Sequence, residues 1–326
     1  MARLVMAGDV MLGRLVDEFL ATNDPCYVWG DTLPLFKGAD LALCNLECAV
    51  TDRAREWREV PKVFYFRTHT QNAASLKCAG IDLVTLANNH VLDFGYEGLD
   101  DTLAILDENG VAHAGAGRNV RQASSPVFFA AGGSKVAVLS FADDMPEWAA
   151  KAAKPGIFYI QSPDSPEQQV LNRAITLARK QADFVIISPH WGPNWGYEVE
   201  PYYASWARRI IDQGADMIFG HSGHVFRGIE IYKGKPIIYS AGDFVDDYAV
   251  SFDEPNDEGF VYGLELNNGR MTALNLYPTV IQNYQARFAG VRSQSIMARM
   301  AALSADLGTG AKLDSKHNRL TIPIRL

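Results

Sequence analysis

The sequence predicts an α/β fold in which a mostly parallel sheet is continued by antiparallel strands into a second, packed sheet. Three observations predict it. Short apolar runs alternate with helix-length stretches over the first two thirds of the chain, glycine- and asparagine-bearing turns mark hairpins, and polar, chemically active residues recur where the apolar runs end. Strands interleaved with helices of this length imply βαβ units.

In chain order, Leu4–Leu12 reads as a buried strand and Leu41–Val50 as another. A helical pattern near Gln71–Ala79 leads to a strand at Asp82–Ala87, and a second helical pattern follows at Gly95–Glu108. Val127–Ala131 and Lys135–Phe141 form a hairpin across Gly132-Gly133, a pair suited to positive φ. Helices at Pro166–Lys180 and Tyr202–Gln213 alternate with strands at Phe184–Ser188 and Met217–Phe219, the latter ending at Gly220. Gly228–Tyr232 and Pro236–Ser240 pair across Lys233-Gly234, and Phe260–Leu266 turns through Asn267-Asn268-Gly269 into Met271–Leu276. These hairpins imply two sheets packed face to face. Ser293–Leu326 reads as a helix, a polar loop and a short strand. Thr51–Pro61 reads as a charged surface loop, and the acidic run Asp253–Glu258 as a solvated one without EF-hand spacing.

With 326 residues, 48% of them hydrophobic, the chain can bury one large core. No repeat, low-complexity tract or linker interrupts it, so a single domain over 1–326 is expected, with its motifs within 4–247 and a C-terminal extension at 290–326. The net charge of −8 and the absence of a basic stripe argue against a nucleic-acid partner. The N-terminus is apolar too briefly for a signal peptide, and no stretch is long enough to span a membrane, so a cytoplasmic protein without a membrane anchor is expected. Four cysteines are few. Cys44 and Cys48 flank Asn45-Leu46-Glu47, and buried free thiols are a better reading of them than a metal pair. No heptad run speaks to oligomeric state.

Ligands in open α/β sheets bind at strand ends. Here those ends read Gly8-Asp9, Asn45-Leu46-Glu47, Asn88-Asn89-His90, His190-Trp191-Gly192 and Gly220-His221-Ser222-Gly223-His224. Carboxylate, amide and imidazole donors converging from five strands suit a divalent metal such as Mn, Fe, Zn or Mg. A glutamate among them can bridge two ions about 3.5–4 Å apart.

With Tyr239-Ser240-Ala241-Gly242-Asp243-Phe244 added, the motif series resembles the CapA family of capsule and poly-γ-glutamate synthesis proteins, over about Leu4 to Asp247. That family is similar in fold to the calcineurin-like metallophosphoesterases. The resemblance implies a four-layer α/β/β/α sandwich with mixed sheets and one or two divalent ions (Mn, Fe, Zn, Mg or Ca) at strand ends. It implies Asp9, Glu47, Asn89, His190, His221 and His224 as metal ligands, and His90 as a nearby acid or electrostatic stabiliser. Three positions depart from the metallophosphoesterase pattern. Met11 stands where a histidine is usual, Ser222-Gly223 replaces the usual His-Pro, and Arg227 and Asp243 replace a glutamine and an asparagine. The first change removes a ligand from one metal position, and the last two point to an altered substrate.

Asp93 follows His90 by three residues, so it either orients that imidazole or caps the helix at Gly95. Arg14, Arg67 and Arg227 are candidates for gripping a carboxylate or phosphate, with structural roles as the commoner alternative. Trp191 and Trp195 bracket a Gly/Pro-rich loop and either wall a substrate pocket or pack in the interior.

Three functions fit these residues. The leading one is a metal-dependent hydrolase acting on a γ-glutamyl or other peptide, or on a phosphoester, linked to capsule or poly-γ-glutamate synthesis. The second is a metal-dependent peptide epimerase using the pairs His90–Asp93 and His224–Asp243, as in some CapA-like proteins of lasso-peptide pathways. The third is a non-catalytic factor that binds or assembles capsule polymer.

Overall fold

The structure, a computed structural model, describes residues 2–324. The larger sheet runs Lys312–Asp314, Arg319–Ile322, Arg270–Gln282, Glu258–Asn267, Ala2–Val10, Leu41–Leu46, Leu83–Thr85, Ala112–Ala114. Asp243–Val245 pairs additionally with Ala2–Val10, and Gln285–Phe288 with Arg270–Gln282. The smaller sheet runs Ile229–Tyr232, Lys235–Ile238, Met217–Phe219, Phe184–His190, Ser134–Ala142, Val127–Ala131. Each has a parallel centre and antiparallel additions, as the alternation and hairpins imply.

Strand alternation builds the layers. Side chains of successive strand residues point to opposite faces. Leu4, Met6, Leu41 and Leu43 thus meet Val136, Val138, Phe184 and Ile186 of the other sheet in one apolar layer. Val5, Ala7, Ala42 and Cys44 face outward beneath Leu99, Leu103 and Leu106 of the Gly95–Glu108 helix. Ala137, Leu139, Val185 and Ile187 do the same under the helices Pro166–Arg179 and Pro201–Asp212, which bury Leu171, Ile175, Trp206 and Ile210. The spacing of these helical residues is that of one apolar face. The result is a four-layer α/β/β/α sandwich of mixed sheets. The C-terminal helix Ser293–Asp306 sends Ile296, Met297 and Met300 into the layer between the sheets, so the C-terminal segment shares that core.

Several elements differ from expectation. The Leu41–Val50 run leaves the sheet at Leu46, and Ala49–Val50 pairs with Arg67–Thr68 in a separate ribbon. Both parts are buried, so hydropathy carries no mark of the break. The helices Arg14–Leu20 and Leu33–Lys37 and the edge strand Ala112–Ala114 are additional. The acidic run at 253–258 is not wholly solvated: Asp257 and Glu258 bind Arg292, and Glu258 also binds Arg299. Those cations come from the C-terminal helix and the turn just before it, distant in sequence, which is why local composition misleads.

Cys44 and Cys48 are free and buried, as expected, but Cys26 and Cys78 form a disulfide with Cα atoms 5.4 Å apart. Such bonds persist in oxidising surroundings and are rare in the cytosol, which weighs against the cytoplasmic expectation. Among the described residues, no helix is long and apolar enough to cross a membrane.

Candidate metal centre

The parallel strands of both sheets end at the same rim of the sandwich, and their next residues converge there. Asp9 lies opposite Asn45 on one side and Asp243 on the other. Its carboxylate accepts hydrogen bonds from Asn45 Nδ2 at 2.7 Å and the Ser222 amide at 3.2 Å. That amide is turned onto Asp9 by a left-handed backbone at Ser222, φ 96°. Glu47 follows its strand end and is held by its amide on the Val10 carbonyl, 3.0 Å. It is 2% exposed, and its Oε2 has no hydrogen-bond partner. His190 and His221 face each other with Nδ1 atoms 2.8 Å apart, and His224 Nδ1 lies 3.2 Å from both carboxylate oxygens of Asp243. Asn88 stitches the third strand end to the second by donating to the Leu46 carbonyl at 2.8 Å, which places Asn89 at the rim with a buried, unpartnered Oδ1.

Two donor sets result. Asp9, His190 and His221 bring ligand atoms within 4.8 Å of one another, and so do Asp9, Glu47 and Asp243. Burial, with the neighbouring carboxylates, pushes Glu47 and Asp243 well above the usual carboxylate range, and burial pushes Asp9 up to about 7. Burial pulls the His90 and His221 imidazoles down to about 4 and about 3, so both rings are neutral near pH 7. Buried carboxylates crowded together with neutral imidazoles and orphaned oxygens form a set that a divalent cation would satisfy. Sulfur is not part of it: burial holds the Cys44 and Cys48 thiols protonated.

Above this floor opens a pocket of about 510 Å³, with Glu47, Asn89, His90 and His224 at its base and Arg14, Lys62, Phe64, Phe66, Trp195 and Tyr248 on its walls. His90 stacks on Phe66 with ring centroids 4.0 Å apart, and its Nδ1 is 2.6 Å from Asp93 Oδ2. Asp93 therefore orients the imidazole. The residue before the Gly95 helix is Phe94, which makes no side-chain cap. Arg14 reaches the pocket from a left-handed residue, φ 54°, with its guanidinium 3.2 Å from Asp247 and beside Phe64 and Phe66. Trp195, 42% exposed, stands over His224 at 5.1 Å between ring centroids.

Three expected substrate residues are placed elsewhere. Trp191 is buried against Phe141 and Trp206 and donates its ring N–H to the Tyr239 carbonyl. Arg67 donates to the Arg53 carbonyl and lies over Phe94. Arg227 is 4% exposed and gives its hydrogen bonds to the carbonyls of Pro193, Trp195 and Gly196, so it shapes the loop that carries Trp195. In each case carbonyls or rings from distant segments satisfy the side chain. Met11, at the departure noted above, is buried and its sulfur accepts the Gly13 amide at 3.0 Å.

Lys62 and Tyr248 carried no signal in the sequence. Lys62 sits just beyond a charged loop, yet its ammonium reaches the Asn89 carbonyl and the Asp93 carboxylate and lies 4.7 Å from the Trp148 ring. Replacing Lys62 by methionine is expected to lower stability by about 2 kcal/mol, since a buried carboxylate loses a charged partner. The midpoint of urea unfolding measures this; an unchanged midpoint would mean that Lys62 does not anchor the loop.

The profile described as bacterial capsule synthesis protein PGA_cap matches residues 3–248. A probable polyglutamine synthesis accessory protein of Mycobacterium tuberculosis is 37% identical over 284 residues, covering 75% of this chain and 74% of its own. The capsule biosynthesis protein CapA of Bacillus anthracis is 31% identical over 246 residues, 75% of this chain and 59% of that one. Among solved structures, a candidate 5′-nucleotidase of Staphylococcus aureus matches with a TM-score of 0.52 at 12% identity, over 91% of this chain and 57% of that one. At that identity the likeness concerns the fold, which is of the calcineurin-like metallophosphoesterase type.

Proposed function

We propose that this chain, which belongs to the bacterial capsule synthesis protein family PGA_cap, is a divalent-metal-dependent hydrolase of a γ-glutamyl or related peptide bond. The observation that carries the reading is the placement of two buried donor sets, one of them through Glu47, beneath the same pocket that His90, oriented by Asp93, lines. Asp9, Glu47, Asn89, His190, His221 and His224 would hold the metal, which supplies Lewis-acid polarisation and a bound water of lowered pKa. Arg14, on the pocket wall and 40% exposed, favours an anionic substrate. The relatives' names, polyglutamine synthesis and capsule biosynthesis, favour an amide-linked polymer over a phosphoester.

The protein's own groups supply the proton chemistry. Asp93 accepts the Nδ1–H of His90, which leaves Nε2 as the free nitrogen of the ring, and Phe66 fixes the ring plane. A neutral, oriented imidazole can take a proton at Nε2 and return it to a leaving amine. The reading is tested by giving the Mn-reconstituted protein γ-glutamyl oligomers and phosphoesters. Release of new amino groups, lost in His90→Ala with metal content unchanged, is expected; release of neither amine nor phosphate would overturn it.

Cation affinity should rise with pH. The His221 imidazole is already neutral above about pH 5, whereas Asp9, pushed up to about 7, still holds its proton below that value and must release it to bind a cation. Below about pH 7 each unit of acidification is expected to weaken Mn binding by up to about tenfold for every carboxylate that must release a proton. Titrations at about pH 6 and about pH 8 measure the difference; equal affinities would exclude carboxylate deprotonation from the binding step.

The epimerase reading has its own support. His90 and His224 both line the pocket, and each has a carboxylate within 3.2 Å. Incubation in heavy water separates the two reactions, because epimerisation exchanges the Cα hydrogen and hydrolysis leaves it in place.

A further inference from the structure

The buried acids at the rim do not divide evenly between the two roles that the sequence suggests. Asp243 sits on the short strand Asp243–Val245, directly opposite Asp9 in parallel pairing. The two strands approach closely: the Asp9 amide bonds the Gly242 carbonyl at 3.1 Å, and any Cβ at Gly8 would lie 2.0 Å from that carbonyl oxygen. Asp243 is thereby held against Asp9 and Glu47, each offering a carboxylate oxygen within 4.8 Å of the others.

Two further observations bear on its role. Glu47 Oε2 is buried within this trio without a hydrogen-bond partner, and among the described residues no lysine or arginine nitrogen lies within 4.0 Å of any of the three carboxylates. The contact between Asp243 and His224 also differs from the one between Asp93 and His90. Asp93 takes a single short bond of 2.6 Å on one oxygen, whereas both oxygens of Asp243 stand 3.2 Å from His224 Nδ1. The first is a carboxylate orienting a ring. The second is a longer contact shared between two oxygens, without the single short bond that fixes a ring.

We propose that Asp243 is a metal ligand, completing with Asp9 and Glu47 a carboxylate-rich cation site, flanked by His224, next to the imidazole-bearing site of Asp9, His190 and His221. The inference rests on the metalloprotein reading above and deepens it. Asp9 belongs to both donor sets and links the two positions. The donor chemistry separates them: three carboxylates suit a hard ion such as Mg, Ca or Mn, while the carboxylate with two imidazoles suits Mn, Fe or Zn. His224 then flanks the hard site instead of forming an acid–base pair with Asp243.

The test uses the metal-free full chain, Mn²⁺ alone as probe, and electron paramagnetic resonance as readout. Wild type is expected to bind two equivalents with the spectrum of coupled ions, as centres about 3.5–4 Å apart give. Asp243→Asn is expected to bind one equivalent with the spectrum of an isolated ion, and excess Ca²⁺ should displace one Mn²⁺ from wild type and none from the variant. Two coupled ions in the variant, or a single equivalent in wild type, would overturn the inference and leave the metal reading standing. No Mn²⁺ bound by wild type would overturn both. Should Asp243→Asn lose its near-ultraviolet circular dichroism, anomalous diffraction from Mn-soaked wild-type crystals decides. A peak about 2.0–2.6 Å from an Asp243 oxygen supports the site, and a peak confined to His190 and His221 overturns it.

Discussion

Asp9→Ala is expected to abolish divalent-cation binding and to lower turnover at least a thousandfold, about 4 kcal/mol of transition-state stabilisation. The size of the effect follows from position. Asp9 is the one carboxylate common to both donor sets, so its removal disables each of them. The fold should survive the loss. The variant leaves the Asn45 amide and the Ser222 N–H without their acceptor, which costs about 1–3 kcal/mol. It also removes a carboxylate that burial disfavours, which offsets part of that cost. The clearest readout is the thermal response to metal. At a free concentration about a hundredfold above Kd, Mn²⁺ should stabilise wild type by about 2.7 kcal/mol and the variant not at all. Equal shifts in melting temperature for the two proteins would remove Asp9 from the site.

The second large effect concerns the backbone beneath that carboxylate. Gly8→Ala is expected to destabilise the protein by at least about 3 kcal/mol and to reduce cation affinity as well. A Cβ at Gly8 would stand 2.0 Å from the Gly242 carbonyl oxygen and 3.1 Å from Ala241 Cβ, and neither can swing aside as a flexible side chain could. The strand cannot retreat, because Ala2–Val10 is paired with Leu41–Leu46, Glu258–Asn267 and Asp243–Val245. The remaining escape is to part the Asp9 and Asp243 strands, which spreads two of the candidate ligands. Gly80→Ala is the control: nothing lies within 4 Å of its Cβ position, and only the left-handed φ of 73° is strained. That substitution should cost about 1 kcal/mol and leave cation binding intact. Chemical unfolding of both variants decides the matter. A Gly8→Ala protein as stable as the control would mean that the two strands are less closely packed than described.

Where the residues of the centre lie shows which kinds of inference reach into a tertiary structure. Asp9, Glu47, His190 and His221 were legible because each ends or directly follows a strand of a parallel sheet, and parallel strands in adjacent register bring their C-terminal ends to one edge. The orienting role of Asp93 was half legible, since spacing allows it both to face His90 and to cap the next helix. The contacts with Lys62 and the Phe66 amide, and the absence of a side-chain cap on that helix, decide between the two. For Arg67, Trp191 and Arg227 the choice between substrate and structural roles stayed open for a common reason. An arginine or tryptophan near a motif reads the same whether it faces a ligand or binds carbonyls and rings inside the protein.

The sequence by itself determined the parallel centres with their hairpin extensions, the packing of two sheets, and the rim where polar residues gather. These follow from periodicity and turn chemistry, which act over a few residues and are written locally. Tertiary structure alone decided that Lys62 closes onto Asp93, that Arg227 serves a loop, that Cys26 meets Cys78 and that Asp243 lies against Asp9. Each of those contacts joins segments separated by many residues, and its energy depends on burial and on the partner met there. A side chain's own identity fixes what it can bind, whereas only the folded chain fixes what stands within its reach.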